Sequence, residues 1–163
     1  MSAVADLSLE RLSIADAPAL FLFEKHNKAW FEAHVGPRPD IYWDLFRLTE
    51  LVQEQVEAGE LMFLLKDRGR IVGRVNLTGV EARVAQLGYR IGQEQAGRGT
   101  ASRGVALLID EARRLGLWAI EARVKLDNPA SMRVLEKNGF HVTGSDVIAE
   151  FECKTFRRDL DLD

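Results

Sequence analysis

The sequence reads Ala96-Gly97-Arg98-Gly99-Thr100-Ala101-Ser102 between a predicted strand, Val84–Ile91, and a predicted helix, Gly99–Leu115. Two glycines let the backbone turn tightly and allow a ligand to approach without a Cβ in the way. The first amides of the following helix have no partner inside that helix, and its positive dipole end favours an anion. Arg98 adds a formal charge and several hydrogen-bond donors beside these amides. The pattern indicates a phosphate-binding loop, although an ordinary loop before a helix can share it.

The composition is that of a globular chain with one cysteine. Its 163 residues are 47% hydrophobic, which predicts a single domain over residues 1–163 with a core of its own. The formal net charge of −3 argues against a nucleic-acid partner. Cys153 has no second cysteine to pair with, no apolar run reaches the roughly 18 residues of a membrane span, and no signal-peptide pattern opens the chain. We therefore expect a soluble, cytoplasmic protein without a membrane partner.

Hydrophobic periodicity predicts the element order β-α-α-β-β-β-α-β-α-β-β. After a first strand in residues 6–13, one helix is expected to begin at Asp16 and a second to run from Asp40 to a stop at Gly59. Three strands follow, with turns expected at residues 67–70 and 78–82, and the simplest arrangement for them is an antiparallel meander. The third of these strands leads directly into the glycine loop.

The second half of the chain predicts a strand, helix and strand followed by a last helix and hairpin. Trp118–Val124 alternates between apolar and polar residues, so it should pair in parallel with Val84–Ile91 through a right-handed crossover. Asn128 is a candidate N-cap before Pro129, and Asn138-Gly139 should end that helix. The final hairpin is expected to turn around Gly144-Ser145-Asp146.

Four segments in this order carry a family resemblance. From about Leu61 to Phe156 the sequence resembles the GNAT family of N-acetyltransferases, most closely its Rim-type branch (RimJ/RimL-like), which is related to ribosomal-protein-alanine N-acetyltransferases. The matching segments are Leu87-Gly88-Tyr89-Arg90-Ile91, Gly97-Arg98-Gly99-Thr100-Ala101, Asn128-Pro129-Ala130-Ser131 and Glu136-Lys137-Asn138-Gly139-Phe140.

The resemblance implies a fold, a co-substrate and a set of contacts. The family has an α/β (α+β) fold, with a mixed, mostly antiparallel sheet, helices on both faces, and parallel fourth and fifth strands that splay apart around acetyl-CoA. By this resemblance Tyr89, Arg90 and Ile91 would offer backbone groups to the pantetheine arm, and Asn128 would contact the same ligand. The pyrophosphate would be held by Gly97, Arg98, Gly99, Thr100, Ala101 and Ser102.

Ala96 departs from the family pattern, which usually has Gln or Arg at this position, while Gln95 lies one residue away. Since backbone amides provide most of the hydrogen bonds to phosphate, the change should lower the affinity for the ligand without abolishing the site. A dinucleotide-binding reading of Gly97-x-Gly99-x-x-Ser102 is disfavoured, because five residues separate Ile91 from Gly97 and no acidic residue ends the next strand.

Acetyl transfer to an amine needs a proton donor for the departing thiolate. Many GNAT enzymes carry a Tyr at the position of Leu135, so the usual acid is missing here. The Rim-type branch instead pairs an Asn with a Ser, and Asn128 with Ser131 reproduces that spacing on one side of a helix start. The alternatives are a plain N-cap for Asn128 and a solvated first-turn residue for Ser131.

A general base is not evident from the residues. Glu81, Asp146 and Glu150 are candidates that also fit solvated surface charges, and Gln86 stands where Rim-type sequences often have Glu. His26, His34 and His141 have no paired spacing, so no metal site is expected. Five aromatic residues near the first two helices fit core packing, although the family places the acceptor site beside residues 30–42; they are Trp30, Phe31, Tyr42, Trp43 and Phe46.

The expected function is transfer of the acetyl group of acetyl-CoA to a primary amine, with the N-terminal α-amine of a protein as the acceptor that the Rim-type resemblance suggests. Two alternatives stay open at this point. One is an acetyltransferase for a small-molecule amine such as an amino sugar, a polyamine or an amino acid. The other is a non-catalytic CoA-binding module. The chain is expected to act as a monomer or a homodimer, and the sequence does not choose between them.

Overall fold

The computed structural model describes residues 6–160, which contain five α-helices and seven strands. They divide into two compact units, residues 6–75 with 89–100 and residues 76–88 with 101–160. The helices are α1 (Ala17–His26), α2 (Lys28–His34), α3 (Leu45–Glu57), α4 (Thr100–Arg114) and α5 (Pro129–Lys137). The strands are β1 (Leu7–Arg11), β2 (Leu61–Asp67), β3 (Arg70–Glu81), β4 (Val84–Ile91), β5 (Ala119–Lys125), β6 (His141–Ile148) and β7 (Phe151–Asp159). The single-domain organisation stays a prediction.

The strands form one mixed sheet in the order β1-β2-β3-β4-β5-β7-β6. β4 and β5 are parallel, whereas β1 with β2, β5 with β7, and β6 with β7 are antiparallel. The parallel register covers Val84↔Ala119 to Gln86↔Glu121, and β4 continues for five further residues to Ile91. The predicted mixed sheet with a parallel fourth and fifth strand is therefore confirmed.

Helices α1 to α3 bury one side of the first unit. The spacing of Leu48 and Val52 places both on the same face of α3, where they are fully buried with Leu20, Phe31 and Tyr42. Trp30 and Trp43 pack against this core, so the aromatic residues are core residues as expected, except that Phe46 is 74% exposed. Burying apolar surface in this way is the main stabilising contribution to such a unit.

Two expectations for the helices of this unit were wrong. The sequence Lys28–His34 forms α2, which periodicity missed because a seven-residue helix is too short to show a stripe. Asp40 opens a short 3-10 helix, and the cap of α3 is Asp44, whose carboxylate accepts from the Arg47 amide at 3.2 Å. Asp16 is the N-cap residue of α1, as expected, and its carboxylate accepts hydrogen bonds from the amide and hydroxyl of Ser13.

The second unit contains the amphipathic helix α4, whose stripe Val105, Leu108 and Ala112 is buried as expected. Two turns lie elsewhere than predicted. The β3–β4 turn is Ala82-Arg83 and the β6–β7 turn is Ala149-Glu150, and all four residues have a positive φ. Because glycine usually occupies such positions, the turns were predicted near Gly79 and at Gly144. Gly144 instead lies at a register shift within the β6–β7 ladder.

Candidate functional site

The glycine loop has the backbone conformation that its sequence demands. Gly97 and Gly99 have φ values of +74° and +77°, a region that side-chain-bearing residues rarely adopt. Both glycines are exposed, and a Cβ added at Gly97 would meet no atom within 4 Å. The loop therefore turns as the phosphate-binding pattern requires and leaves open space on its outer side.

A buried hydrogen bond closes the loop. The Thr100 hydroxyl donates to Oε1 of Gln95 at 3.0 Å, and the two residues are 1% and 5% exposed. Gln95 also ends a short 3-10 helix, Gln93–Gln95, and its carbonyl accepts from the Arg98 amide at 3.3 Å. Gln95 thus sets the loop's shape where the family's usual residue is replaced by Ala96. Sequence reasoning noted Gln95 as a neighbour but missed this role, for which an isolated glutamine gives no signal.

A second buried amide side chain fixes the entry to the loop. Oδ1 of Asn27 accepts from the Gln93 amide at 2.9 Å, and its Nδ2 donates to the Phe23 carbonyl at 3.0 Å. Gly92 lies against the same side chain, because a Cβ at this position would approach Phe23 to 3.2 Å and Asn27 to 3.4 Å. Asn27, which is 4% exposed, therefore connects the end of α1 to the segment that follows β4.

Arg98 and the start of α4 contain the groups that the sequence predicts to bind an anion, and this role stays a prediction. The Arg98 side chain is exposed, whereas its own amide is already donated to Gln95. The amides available to phosphate are consequently those of the first turn of α4, which have no intrahelical acceptor. α4 begins at Thr100 and continues through Ala101 and Ser102.

Ser102 is held by a residue that the sequence indicated only as part of a motif. Nδ2 of Asn138 donates to the Ser102 carbonyl at 3.1 Å, contacts Ser102 Oγ at 3.2 Å, and also donates to the Val134 carbonyl at 2.9 Å. Arg158 donates in turn to the Asn138 carbonyl at 2.7 Å. Asn138 thereby joins the C-terminal end of α5 to the first turn of α4, which explains why an asparagine suits this position.

Tyr89, Arg90 and Ile91 form the last three residues of β4, beyond the part that pairs with β5. Gly73 on β3 lies directly against them, since a Cβ there would come within 2.7 Å of Ile91 Cδ1 and 3.0 Å of the Arg90 carbonyl oxygen. The Arg90 side chain donates to the Gly36 carbonyl at 2.9 Å. The predicted use of these backbone groups by pantetheine stays a prediction.

Asn128 and Ser131 are brought together at the start of α5. Oδ1 of Asn128 accepts from the Ser131 amide at 3.2 Å, so Asn128 is an N-cap, and its contact with a ligand stays a prediction. Both residues are half-buried. Leu135, at the position of the family's tyrosine, is 1% exposed and belongs to the core, so a phenol there could not be accommodated without repacking.

The carboxylates considered as bases are exposed. Glu81 and Glu150 lie at turns, and Asp146 lies 3.5 Å from Arg123. Gln86 donates to Glu121 at 3.2 Å, and Glu121 also lies 3.5 Å from Arg157. Each of these carboxylates fits an exposed surface charge or a surface ion pair.

No group of three or more metal-ligating side chains occurs within residues 6–160. The three histidines lie in separate settings: His26 is 3.5 Å from Glu94, the His34 ring is 3.9 Å from the Trp30 ring, and His141 is exposed on β6. Likewise, no helix in this part of the chain is long and apolar enough to span a bilayer.

A cavity of about 810 Å³ in the first unit borders the start of the glycine loop. Its floor is apolar and includes Phe23 and Val72, and its rim includes Gly92, Glu94 and Gln95. Two of its lining residues, Arg70 and His26, lie 3.7 and 3.5 Å from the carboxylate of Glu94. Sequence reasoning did not find this cavity, which is formed by residues from α1, the β2–β3 turn and the loop.

Comparison with known proteins gives concordant matches. Residues 6–141 match the model of the acetyltransferase (GNAT) domain. A probable N-acetyltransferase of Bacillus subtilis, YjcK, is 34% identical over 145 residues, which cover 82% of this chain and 79% of that protein.

Two solved structures have the same fold. The ribosomal-protein-S5-alanine acetyltransferase of Vibrio fischeri superposes with a TM-score of 0.89 at 18% identity, covering 96% of this chain and 94% of that one. The spermidine N-acetyltransferase of Vibrio cholerae, in complex with CoA and spermine, superposes with a TM-score of 0.78 at 22% identity, covering 95% and 96%. The fold is thus shared by enzymes named for a protein and for a polyamine.

Proposed function

The chain belongs to the GNAT family of N-acetyltransferases and is an acetyl-CoA-dependent acyltransferase, and we propose that it acetylates the N-terminal α-amine of a protein or peptide. The observation that carries the co-substrate assignment is the loop with two left-handed glycines, closed by Gln95 and Thr100, at the start of α4. Amides and a helix N-terminus in this arrangement suit a pyrophosphate. Arg98 at the exposed rim adds a charge-assisted contact.

The residues of β4 and α5 supply the remaining groups. Tyr89 to Ile91 offer backbone donors and acceptors to an extended amide-containing arm, as an added strand would use them. Asn128 offers its Nδ2 group, because its oxygen is occupied by the Ser131 amide. The Ser131 hydroxyl is the proposed proton donor to the sulfur of the departing thiolate.

The proposed reaction does not require a carboxylate as general base. An α-amine with a pKa of about 7.7 to 8.0 is partly neutral at physiological pH, so water can take its proton. A thiol with a pKa of about 8.5 is a fair leaving group, so one positioned hydroxyl is a sufficient acid. This explains how Gln86 can stand where related sequences have a carboxylate.

The acceptor distinguishes the proposal from its alternative. The Rim-type neighbour is named for a ribosomal-protein alanine, which supports a protein N-terminus, whereas the spermidine enzyme supports a small-molecule amine. We favour the protein N-terminus because Asn128 and Ser131 at the start of α5 reproduce the pair by which the sequence resembles the Rim-type branch. A cytoplasmic location fits this role.

The experiment compares a peptide α-amine, the same peptide without that amine, and a polyamine as acceptors. A lysine-free peptide with a free α-amine, the same peptide blocked at its N-terminus, and spermidine are each incubated with acetyl-CoA and the purified chain. Release of CoA thiol and the product mass are measured together. We expect only the free peptide to be acetylated. If spermidine is acetylated and the peptide is not, the proposed acceptor is wrong and a polyamine takes its place. If no amine leads to thiol release, the proposed reaction is wrong.

A further inference from the structure

Three arginines, Arg38, Arg74 and Arg90, share one buried region of the first unit with Glu24 and Tyr42, and we refer to the three as the arginine cluster. Nε and Nη2 of Arg38 both lie 2.7 Å from Oε1 of Glu24. The Arg38 guanidinium is 4.6 Å from the centre of the Tyr42 ring, and Nη1 of Arg74 donates to the Tyr42 hydroxyl at 3.3 Å. Direct contacts through Glu24 and Tyr42 therefore connect Arg38 with Arg74, and Arg90 lies within electrostatic range of both arginines.

The cluster has more positive charge than its partners neutralise. Within residues 6–160, Arg38 forms an ion pair with Glu24, whereas the side chains of Arg74 and Arg90 contact a hydroxyl and a carbonyl and form no ion pair with a carboxylate. Burial, followed by the charge of Arg38, lowers the pKa of Arg90 to about 10, which shows that its environment disfavours the cation. Arg90 still has its full charge at neutral pH.

Two polar atoms in the cluster are buried without a hydrogen-bond partner among the described residues. They are Nε of Arg74 and Oε2 of Glu24, and these two residues are 2% and 0% exposed. A buried guanidinium whose partner is a tyrosine hydroxyl is costly, since its desolvation is not offset by a carboxylate. The unsatisfied Nε donor of Arg74 is what an anion would stabilise, whereas the second oxygen of Glu24 calls for a donor.

The accessible part of the cluster lies beside the predicted co-substrate strand. Arg90 is on β4 between Tyr89 and Ile91, and its side chain reaches the Gly36 carbonyl at 2.9 Å and the Phe31 ring at 5.5 Å. The side chain of Arg38 is 16% exposed and Arg90 is half-buried, so both can contact a ligand. Arg74 is buried and contributes only the electrostatic potential of its charge.

We propose that the arginine cluster recognises a carboxylate on the amine acceptor, so that the enzyme selects acceptors with a negative charge close to the amine. This inference rests on the proposed acetyl transfer and adds the chemical class of the acceptor. Guanidinium groups bind carboxylates through paired, charge-assisted hydrogen bonds, which a polycation cannot provide. Three arginines with one glutamate repel a polyamine, so the cluster favours an acidic acceptor over spermidine.

The carboxylate can belong to a free amino acid or to an Asp or Glu near the N-terminus of a peptide. Matched acceptor pairs separate these sources: an amino acid and its amide, and lysine-free peptides with Asp or Asn at the second or third position. Spermidine serves as the cationic acceptor. With the full chain, kcat/KM for each acceptor is measured by thiol release at saturating acetyl-CoA.

We expect at least one acidic acceptor to exceed its amide partner by about tenfold to a hundredfold in kcat/KM, as for a hydrogen bond to a charged group. The pair that shows the difference identifies the source. Arg90→Gln should abolish this preference, so that the ratio of kcat/KM for the acidic and the amide acceptor, measured in the same variant, falls to about one. Arg90→Lys, which keeps the charge, should retain part of it, and Arg47→Gln on the exposed side of α3 is the matched control.

Two results would overturn the inference while leaving the proposed acetyl transfer intact. The first is equal kcat/KM for acidic and amide acceptors in the unmodified enzyme, a comparison that needs no variant. The second is a loss in Arg90→Gln that is the same for all acceptors and accompanied by a lower melting temperature, which would make the cluster structural. Absence of thiol release with every amine would instead contradict the proposed function itself.

Discussion

The hydrogen bond between Thr100 and Gln95 offers a direct test of how the glycine loop is held. Thr100→Val removes the hydroxyl and keeps the shape of the side chain. Gln95 is 5% exposed, and its Oε1 atom would lose the hydrogen bond that Thr100 donates to it at 3.0 Å. Leaving a buried acceptor unsatisfied costs about 1–3 kcal/mol. We expect the free energy of unfolding to fall by about 1–2 kcal/mol, and the melting temperature by roughly 2–8 °C for a chain of this length.

The same change should weaken co-substrate binding. If the hydrogen bond contributes about 1.4 kcal/mol to keeping the loop in its binding conformation, its loss raises the Kd of acetyl-CoA by at most about tenfold. Because neither side chain takes part in the chemistry, kcat should stay the same. Isothermal titration calorimetry gives the Kd, thermal unfolding gives the stability, and steady-state kinetics give kcat.

Two comparisons make the result interpretable. Thr49→Val removes a hydroxyl that donates to the Leu45 carbonyl at 2.7 Å within α3, so it should leave the Kd unchanged. The double variant Gln95→Met with Thr100→Val removes both partners and should be less destabilised than the sum of the single changes. A Thr100→Val protein with the original stability and the original Kd would refute the assigned role of this hydrogen bond.

Three further changes test individual groups. Arg98→Gln should raise the Kd of acetyl-CoA by about threefold to tenfold without changing the melting temperature, because an exposed charge-assisted contact is lost; an unchanged Kd in calorimetry would remove Arg98 from the site. Asn128→Ser should keep the cap of α5 and lower kcat/KM, since the Nδ2 group disappears; a loss of stability alone would make Asn128 purely structural. Ser131→Ala should keep the Kd and lower kcat by about tenfold to a hundredfold, and full kcat in the kinetic assay would assign protonation of the thiolate to solvent.

The fold was predictable where local signals agreed with each other. The strand, glycine loop and helix from Val84 to Arg114 were placed within a residue or two, because glycine chemistry and a long hydrophobic stripe coincide there. The cap formed by Asn128 before Pro129 was likewise readable from two adjacent residues. These are the segments in which backbone demands and side-chain pattern specify one structure.

The missed features depend on contacts between distant parts of the chain. α2 is too short for a periodic signal, and the turns at Ala82-Arg83 and Ala149-Glu150 use residues that rarely adopt a positive φ. The hydrogen bond from the Gln93 amide to Asn27 joins residues 66 positions apart, and the arginine cluster combines residues from β3, β4 and the segment between α2 and α3. Such groups become neighbours only after folding, so no pattern in the sequence marks them.

The central claim is that this chain moves an acetyl group from acetyl-CoA to an α-amine. The measurement that tests it most directly uses acetyl-CoA with an isotope-labelled acetyl group and a lysine-free peptide, and it follows the label and the free thiol in one reaction. The account predicts one labelled acetyl group on the peptide α-amine for each CoA thiol released, and a greatly reduced yield with Gly99→Glu. Thiol release without label on the peptide, or no release by a protein that binds acetyl-CoA, would contradict it.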